Sequence, residues 1–220
     1  MQIKWYGHSC FLLTDSNGVR ILTDPCHPNT GYELPNIEAD AVTVSHEHHD
    51  HNYISIVTGN TSIIRGIGEY NVNGVSISGV ETFHDHRGGL ERGKNIMFVY
   101  EMDGMRILHC GDLGAIPDQE VLDSLGKIDI LLVPIGAIYT IDDLEARELA
   151  NLIKPSVVIP MHYKTAKLKM DLCPLAPFID AAKDCRIHYI NDCELSVQPV
   201  SLGEDRVIVL RPFDAERDEA

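Results

Sequence analysis

The 220-residue sequence predicts an α/β fold, and its pattern is consistent with two layers of β-sheet covered by helices without selecting that architecture. The first half alternates short apolar or β-branched runs with turn-forming residues, which is typical of hairpins. The second half alternates apolar runs with segments of helical periodicity. No composition break, low-complexity stretch or internal repeat divides the chain, so we predict one domain over residues 1–220.

Hairpins dominate the predicted first half. The turn Asp15-Ser16-Asn17-Gly18 separates two apolar runs, and Asp24-Pro25 ends the second run because proline cannot continue a ladder of hydrogen bonds. A second turn, Met102-Asp103-Gly104, joins two later runs. The predicted strands of this half are 10–14, 19–23, 41–44, 61–64, 75–83, 96–101 and 105–109.

The second half predicts strands and helices in alternation. Its strongest helix is 141–153, where apolar residues recur at helical intervals and two aspartates occupy the first turn, as the helix dipole favours. The other predicted helices are 117–125 and 174–184, and the predicted strands are 128–134, 156–160, 186–190, 195–198 and 206–210. The charged tail, 213–220, is expected to fray.

Composition and charge exclude several classes of function. The chain has 18 Lys and Arg against 33 Asp and Glu, a formal charge of −15, which opposes binding to nucleic acid. No apolar run reaches the roughly 18 residues needed to span a bilayer, and the N-terminus lacks a signal-peptide pattern. The six cysteines form no Cys-x-x-Cys pair, so we expect free thiols in a cytoplasmic protein.

A cluster of metal-ligand residue types follows the predicted strand 41–44. It reads Ser45-His46-Glu47-His48-His49-Asp50-His51, and it holds four of the eleven histidines of the chain. His46 and His48 point the same way if this stretch is extended, which suits one cation, while Asp50 and His51 can serve a second cation nearby. A solvated loop without metal is the alternative, but four adjacent imidazoles and a carboxylate are unfavourable without a cation.

The pattern His-x-His-x-Asp-His after a buried strand resembles the signature of the metallo-β-lactamase superfamily. Within that superfamily the chain is similar to a branch of metal-dependent hydrolases that includes the ascorbate-6-phosphate lactonases. The supporting segments, in the order of the family, are Tyr6-Gly7-His8-Ser9, Thr23-Asp24-Pro25, Thr82-Phe83-His84-Asp85, Arg92-Gly93-Lys94-Asn95, His109-Cys110-Gly111-Asp112 and Pro160-Met161-His162-Tyr163. The resemblance implies a four-layer αββα sandwich, with two mixed sheets flanked by helices.

The resemblance also implies two divalent metal ions and their ligands. It assigns the first ion to His46, His48 and His84, the second to Asp50, His51 and His162, and a bridging position to Asp112. Zinc is favoured by the number of imidazoles, with manganese and iron as alternatives.

Two of these assignments have a competing interpretation. His86 competes with His84, and we prefer His84 because the ligand of the family follows the strand and precedes an aspartate. Asp112 could instead be a helix cap, although Gly111 before it permits a tight turn that presents the carboxylate.

Other residues are candidates for supporting roles. Asp24 matches an aspartate that orients a ligand histidine in the family. His8 could support a ligand, contact substrate or be only a turn residue. Four cationic or titratable residues lie beside predicted ligands and could hold a phosphate or carboxylate, or be solvated: His86, Arg87, Arg92 and Lys164.

The expected function is metal-dependent hydrolysis of an ester or lactone in a small, anionic substrate. A hydroxide bridging the two metals would attack the carbonyl, with Asp50 and Asp112 as the catalytic carboxylates. One alternative is a phosphodiesterase acting on a cyclic nucleotide, a phospholipid or RNA. The other is a non-catalytic metal-binding module. We expect no nucleic-acid or membrane partner, and the sequence does not indicate an oligomeric state.

Overall fold

Two large mixed β-sheets dominate the computed structural model, which describes residues 1–199, 203 and 206–218. The strands are β1 (Gln2–Gly7), β2 (Cys10–Thr14), β3 (Arg20–Thr23), β4 (Ile37–Glu38), β5 (Ala41–Thr43), β6 (Val57–Thr58), β7 (Ser62–Ile64), β8 (Gly68–Val72), β9 (Val75–Phe83), β10 (Lys94–Met102), β11 (Met105–His109), β12 (Ile130–Pro134), β13 (Val157–Met161), β14 (Arg186–Ile190), β15 (Glu194–Ser196) and β16 (Arg206–Leu210). The helices are α1 (Gln119–Ser124), α2 (Asp143–Ile153), α3 (Leu175–Ala181) and α4 (Ala215–Asp218).

The first sheet has the strand order β15-β1-β2-β3-β5-β7, and the second has the order β14-β16-β13-β12-β11-β10-β9-β8. The β2–β3 and β10–β11 hairpins are antiparallel, as the turn residues predict. Strands β11, β12, β13, β16 and β14 run parallel to one another. The carboxyl ends of β11, β12 and β13 therefore meet at one edge of the second sheet.

The main core lies between the two sheets. Side chains alternate along β1: Ile3 and Trp5 belong to this core, while Tyr6 lies in a separate cluster on the other face. Every residue of β12 and β13 is buried, because helices cover one face of the second sheet and the first sheet covers the other. Helix α2 packs against α3 and β12.

The outer layer over the first sheet differs from the helical layer that we expected. Its buried cluster combines Tyr6 and Val42 of the sheet with Ile37, Ile56 and Phe213. These residues come from the β4–β6 ribbon, a 3₁₀ turn and the segment after β16. Prolines 25, 28 and 35 interrupt the chain before β4, so a long helix cannot form there.

The predicted α/β class with two large mixed sheets is confirmed, and the predicted elements end within three residues of the observed ones. Strands β1, β4, β6 and β8 were not predicted; β8, with sequence GEYNV, is mostly exposed and lacks apolar alternation. The prediction of a fraying tail is wrong as far as Asp218, because Phe213 is buried and Arg211 pairs with Asp218. Residues 219–220 lie outside the described residues.

All six cysteines are free thiols. Within the described ranges, no helix combines the length and apolar character needed to cross a bilayer.

The cap of α2 provides a test of the fold. The Asp142 carboxylate accepts a hydrogen bond from the Glu145 N–H at 2.9 Å, and the Glu145 carboxylate accepts one from the Asp142 N–H at 3.0 Å. We expect Asp142→Ala to reduce the free energy of unfolding by about 1 kcal/mol in urea titrations, whereas Asp143→Ala in the same turn changes it by less than about 0.5 kcal/mol. Equal effects would contradict the assigned cap.

Candidate metal centre

The predicted ligands meet at one edge of the molecule because each follows the end of a strand. The segment from Ser45 to His51 follows β5, His84 follows β9, Asp112 follows β11 and His162 follows β13. Two supporting candidates are placed in the same manner, His8 after β1 and Asp24 after β3. Strand ends thus supply every member of the site.

Asp112 lies at the centre of this arrangement. Its Oδ2 atom lies 3.1 Å from His162 Nε2, 3.3 Å from His84 Nε2 and 3.9 Å from His46 Nε2. Its Oδ1 atom lies 3.2 Å from His51 Nε2. The Asp112 carboxylate therefore lies among histidines that the resemblance assigns to different metal ions, which suits a bridging ligand.

The structure brings the candidate ligands into two main groups. The donor atoms of His46, His48 and His84 lie within 4.8 Å of one another. The donor atoms of the second group, which are also within 4.8 Å of one another, belong to His8, Asp50, His51 and His162. Three of these residues are predicted ligands, and His8 is a supporting candidate. A third group of His46, His51 and Asp112 connects the two. Of the predicted ligands only His48 is exposed.

Unpartnered polar atoms test whether these residues fit metal ions. Nε2 of His46, His51 and His162 and Oδ1 of Asp112 are buried without a hydrogen bond of acceptable geometry, although they face one another. A buried polar atom without a partner costs about 1–3 kcal/mol. Divalent cations would satisfy all four atoms, and imidazole with carboxylate is a donor set that zinc accepts. The residues therefore fit a metal site.

The electrostatics of the site favour cations. Burial lowers the pKa of His46 to about 3 and that of His84 below its ordinary value, so both rings are neutral and keep a lone pair. Burial opposes ionisation of Asp112, but His162 and His51 outweigh it and hold the pKa of that carboxyl well below its usual range. Burial would lower the pKa of His51, yet Asp112 and Asp24 raise it well above normal. A divalent cation can replace the proton that these carboxylates stabilise.

Asp24 orients His51 from behind. Its carboxylate accepts hydrogen bonds from the Ser45 N–H at 2.8 Å and from the Ser45 hydroxyl at 2.5 Å, and Oδ2 lies 2.9 Å from His51 Nδ1. With Nδ1 engaged, the opposite nitrogen of His51 faces Asp112. The Ser45 Oγ atom also lies 3.0 Å from His46 Nδ1, so the same network directs His46 Nε2 into the site.

His8 lies inside the site. Its Nε2 atom lies 3.2 Å from Asp50 Oδ2, and its ring centroid is 4.1 Å from that of His162. Its carbonyl accepts hydrogen bonds from the His162 N–H and the Trp5 indole N–H. His8, Asp24 and His162 all have positive φ values, of 53°, 37° and 51°, which residues with a side chain rarely adopt. Such strained backbone concentrates at functional sites.

Asn95 was given no role by the sequence, yet it positions Asp112. Its side chain is fully buried, and Oδ1 accepts a hydrogen bond from the Asp112 N–H at 2.9 Å. Its amide donates to Thr82 Oγ1 at 2.8 Å and to the Cys110 carbonyl at 2.9 Å. Asn95 thereby connects the strand that precedes His84 to the turn that presents Asp112. A single asparagine at the start of a strand carries no local signal for this role.

Gly111 and His109 complete the support of Asp112. Gly111 has φ of +55°, and a Cβ atom there would lie 2.4 Å from Asn95 Oδ1 and 2.6 Å from Ser45 Cβ. The Gly111 N–H donates to His109 Nδ1 at 3.1 Å. His109 Nε2 therefore carries the proton that it donates to the Ser9 carbonyl at 2.8 Å. The expected tight turn at Gly111 is observed.

Asp85 organises the loop after His84. Burial opposes its ionisation, but the N–H groups of Arg92, Arg87, Glu91 and Gly89 donate to its carboxylate and lower its pKa to about 2. The carboxylate thus fixes residues 86–92.

The four candidate substrate contacts are placed differently. His86 is exposed, 3.7 Å from a Glu145 oxygen, in contrast to buried His84. The Arg87 guanidinium donates to the Glu91 carboxylate, and the guanidinium carbon of Arg92 lies 5.5 Å from the Tyr139 ring. Lys164 Nζ donates to the Met170 carbonyl. This lysine, together with Pro174 and Tyr189, lines a surface pocket that is separate from the predicted metal ligands.

A family model described as the β-lactamase superfamily domain matches residues 2–162. The chain therefore belongs to the metallo-β-lactamase superfamily, as the sequence predicts. It is 31% identical to a UPF0173 metal-dependent hydrolase of Archaeoglobus fulgidus, in a match covering 76% of this chain and 85% of the relative.

Solved structures give the same classification. A proposed Zn-dependent hydrolase of the superfamily from Thermotoga maritima is 40% identical, with a TM-score of 0.78 over 95% of this chain and 98% of that one. A metallo hydrolase of Ignicoccus hospitalis shares the fold at 21% identity, with a TM-score of 0.68 over 97% and 96% of the two chains.

The central position of Asp112 can be tested by metal analysis. We expect about two divalent ions per wild-type chain, and loss of at least one in Asp112→Ala, because its carboxylate faces both groups of ligands. His49→Ala should retain both, because the His49 side chain is 68% exposed. Elemental analysis after dialysis measures the difference, and equal metal contents in the two variants would contradict the assignment.

The role of Asn95 can be tested by stability and metal affinity together. Asn95→Ala leaves the Asp112 N–H, Thr82 Oγ1 and the Cys110 carbonyl without this partner, so we expect a loss of about 3 kcal/mol in the free energy of unfolding. Metal affinity, measured by chelator competition, should fall about 10- to 100-fold. The control Asn151→Ala, on an exposed position of α2, should change neither. Unchanged metal affinity in Asn95→Ala would refute the positioning role.

Proposed function

We propose that this chain is a hydrolase that uses two divalent cations, with zinc favoured, to cleave an ester or lactone bond in a small anionic molecule. The observation that supports it most is the position of Asp112, whose carboxylate faces His84 of the first group and His51 and His162 of the second. When bound, two such cations lower the pKa of a water molecule toward neutrality and polarise a carbonyl. The relatives named metal-dependent hydrolases support the same reaction class.

The access of solvent to the ligands supports a catalytic rather than a purely structural site. His46, His48 and His84 would hold one ion, Asp50, His51 and His162 the other, and Asp112 both. Counting the shared carboxylate, four protein ligands would serve each ion, so water or substrate would enter as a fifth ligand, an expansion that catalytic zinc sites accept. The exposed ring of His48 gives access from solvent. A non-catalytic module would instead be expected to close its coordination spheres.

Asp50 is the proposed proton carrier. Its carboxylate would accept the proton of the attacking water and return it to the leaving group. The His8 Nε2 atom, 3.2 Å from Asp50 Oδ2, holds this carboxylate in place. Asp24 acts through His51, whose orientation it fixes.

The charge of the chain supports a small substrate rather than a polymer. Nucleic-acid binding gains affinity from a row of cations that displaces counterions, and a chain with net charge −15 opposes it. Arg87 and Arg92, in the loop fixed by Asp85, are the proposed contacts to a phosphate or carboxylate of the substrate, with His86 and Lys164 as further candidates. We retain the predictions of one domain, a cytoplasmic location and no nucleic-acid or membrane partner.

A substrate panel tests the proposal. Metal-loaded protein is assayed with phosphorylated sugar lactones, simple esters, phosphomonoesters, small phosphodiesters and short RNA, at low and moderate salt. We expect the lactones or esters to give the highest kcat/KM, with activity abolished by a chelator and restored by Zn²⁺. Asp50→Asn should lose at least about 100-fold in kcat, within the range for a proton-transfer group, and His49→Ala should retain activity. Turnover of phosphodiesters alone would favour the phosphodiesterase alternative.

A further inference from the structure

A third imidazole ring lies among the ligands proposed for the second cation. The ring centroid of His8 is 4.1 Å from that of His162 and 5.1 Å from that of His51. His8 is completely buried, and its Nδ1 atom has no hydrogen-bond partner among the described residues. A buried polar atom without a partner is unfavourable, so the position of this ring needs an explanation.

The distance between His8 and Asp50 is that of two ligands on one cation. Zinc bonds to nitrogen and oxygen are about 2.0–2.2 Å long, so two ligands of one tetrahedral ion lie about 3.3–3.6 Å apart. The His8 Nε2 atom is 3.2 Å from Asp50 Oδ2, and His51 Nε2 is 3.7 Å from the same oxygen. The donor atoms of these three residues and His162 all lie within 4.8 Å of one another. His8 therefore has the same spacing as the ligands that the resemblance assigns.

With His8 included, the two groups of ligands become alike. The first group has three imidazole rings, those of His46, His48 and His84, with centroids 4.6–5.1 Å apart. The second group has two rings without His8 and three with it, and those three have centroids 4.1–5.8 Å apart. A hydrogen bond from His8 to Asp50 alone would account for the contact between these two residues. It does not require the His8 ring to lie against two further imidazoles, as a shared cation does.

The backbone around His8 holds its ring in this place. Gly7 has a φ value of +113°, and a Cβ atom there would collide with the Tyr32 ring, so only glycine fits before His8. The His8 carbonyl accepts hydrogen bonds from the Trp5 indole N–H at 3.0 Å and from the His162 N–H at 3.2 Å. The second bond connects the backbone of His8 to that of a proposed ligand, which fixes the two rings relative to each other.

We propose that His8 is a direct ligand of the second cation, together with the three predicted ligands of its group and the shared Asp112. This inference rests on the proposed two-cation site, but not on the reaction or the substrate proposed for it. With His8 the second ion has five protein ligands and the first ion has four. The first ion, on the side of the exposed His48, therefore has more room for water or substrate.

Nuclear magnetic resonance of the full chain, loaded with cadmium-113 and labelled with nitrogen-15 in histidine, tests the ligand directly. Scalar coupling between the metal and an imidazole ring arises only when that ring is a ligand. We expect coupling to the assigned His8 ring and to the five histidines already proposed as ligands. Coupling to those five without His8 would overturn this inference and leave the two-cation site intact. Absence of coupling to any histidine would overturn the two-cation site and this inference with it.

Zinc affinity separates a ligand from a hydrogen-bond donor to Asp50. The variant His8→Gln retains an amide that can donate to this carboxylate but lacks the imidazole. We expect it to weaken the binding of one of two zinc ions, measured by chelator competition, by more than about 100-fold, the most that loss of an outer-shell partner typically costs. The control His188→Gln, at an exposed position of β14, should retain both affinities. A smaller loss in His8→Gln would overturn the inference, and the coupling measurement on the unmodified chain does not depend on the variant folding.

Discussion

A carboxylate buried among imidazole rings is the interaction on which this molecule depends. Asp112 is 2% exposed, and four histidine nitrogens lie within 3.9 Å of its oxygens. An unpaired charge in such a place is costly, since burial penalises the ionised form. The surrounding architecture supplies what offsets this cost. Asn95 and His109 hold the turn on one side, and Asp24 directs His51 from the other.

The two-sheet architecture is what brings these groups together. Each candidate ligand follows the end of a strand, as do the supporting residues His8 and Asp24. These strands come from both sheets, so the site lies at the boundary between the two sheets. The turns at this boundary have positive φ at His8, Asp24, Gly111 and His162. Backbone in this region costs roughly 1–3 kcal/mol per residue that carries a side chain. The apolar core packed on both faces of β12 and β13 stabilises the fold enough to offset the cost of these strained turns.

The sequence alone predicts those features of the fold and the site whose residues are neighbours along the chain. The His46 to His51 cluster is recognisable because six adjacent positions carry the ligand types, and the hairpins around Asn17 and Asp103 are recognisable from their turns. The supports of Asp112 are not, because Asn95 and His109 acquire their roles only when β10 and β11 pair. The choice between His84 and His86 was also ambiguous, since a continuing strand would place both on one face. In the structure β9 ends at Phe83, and Asp85 folds the following loop away from the strand direction.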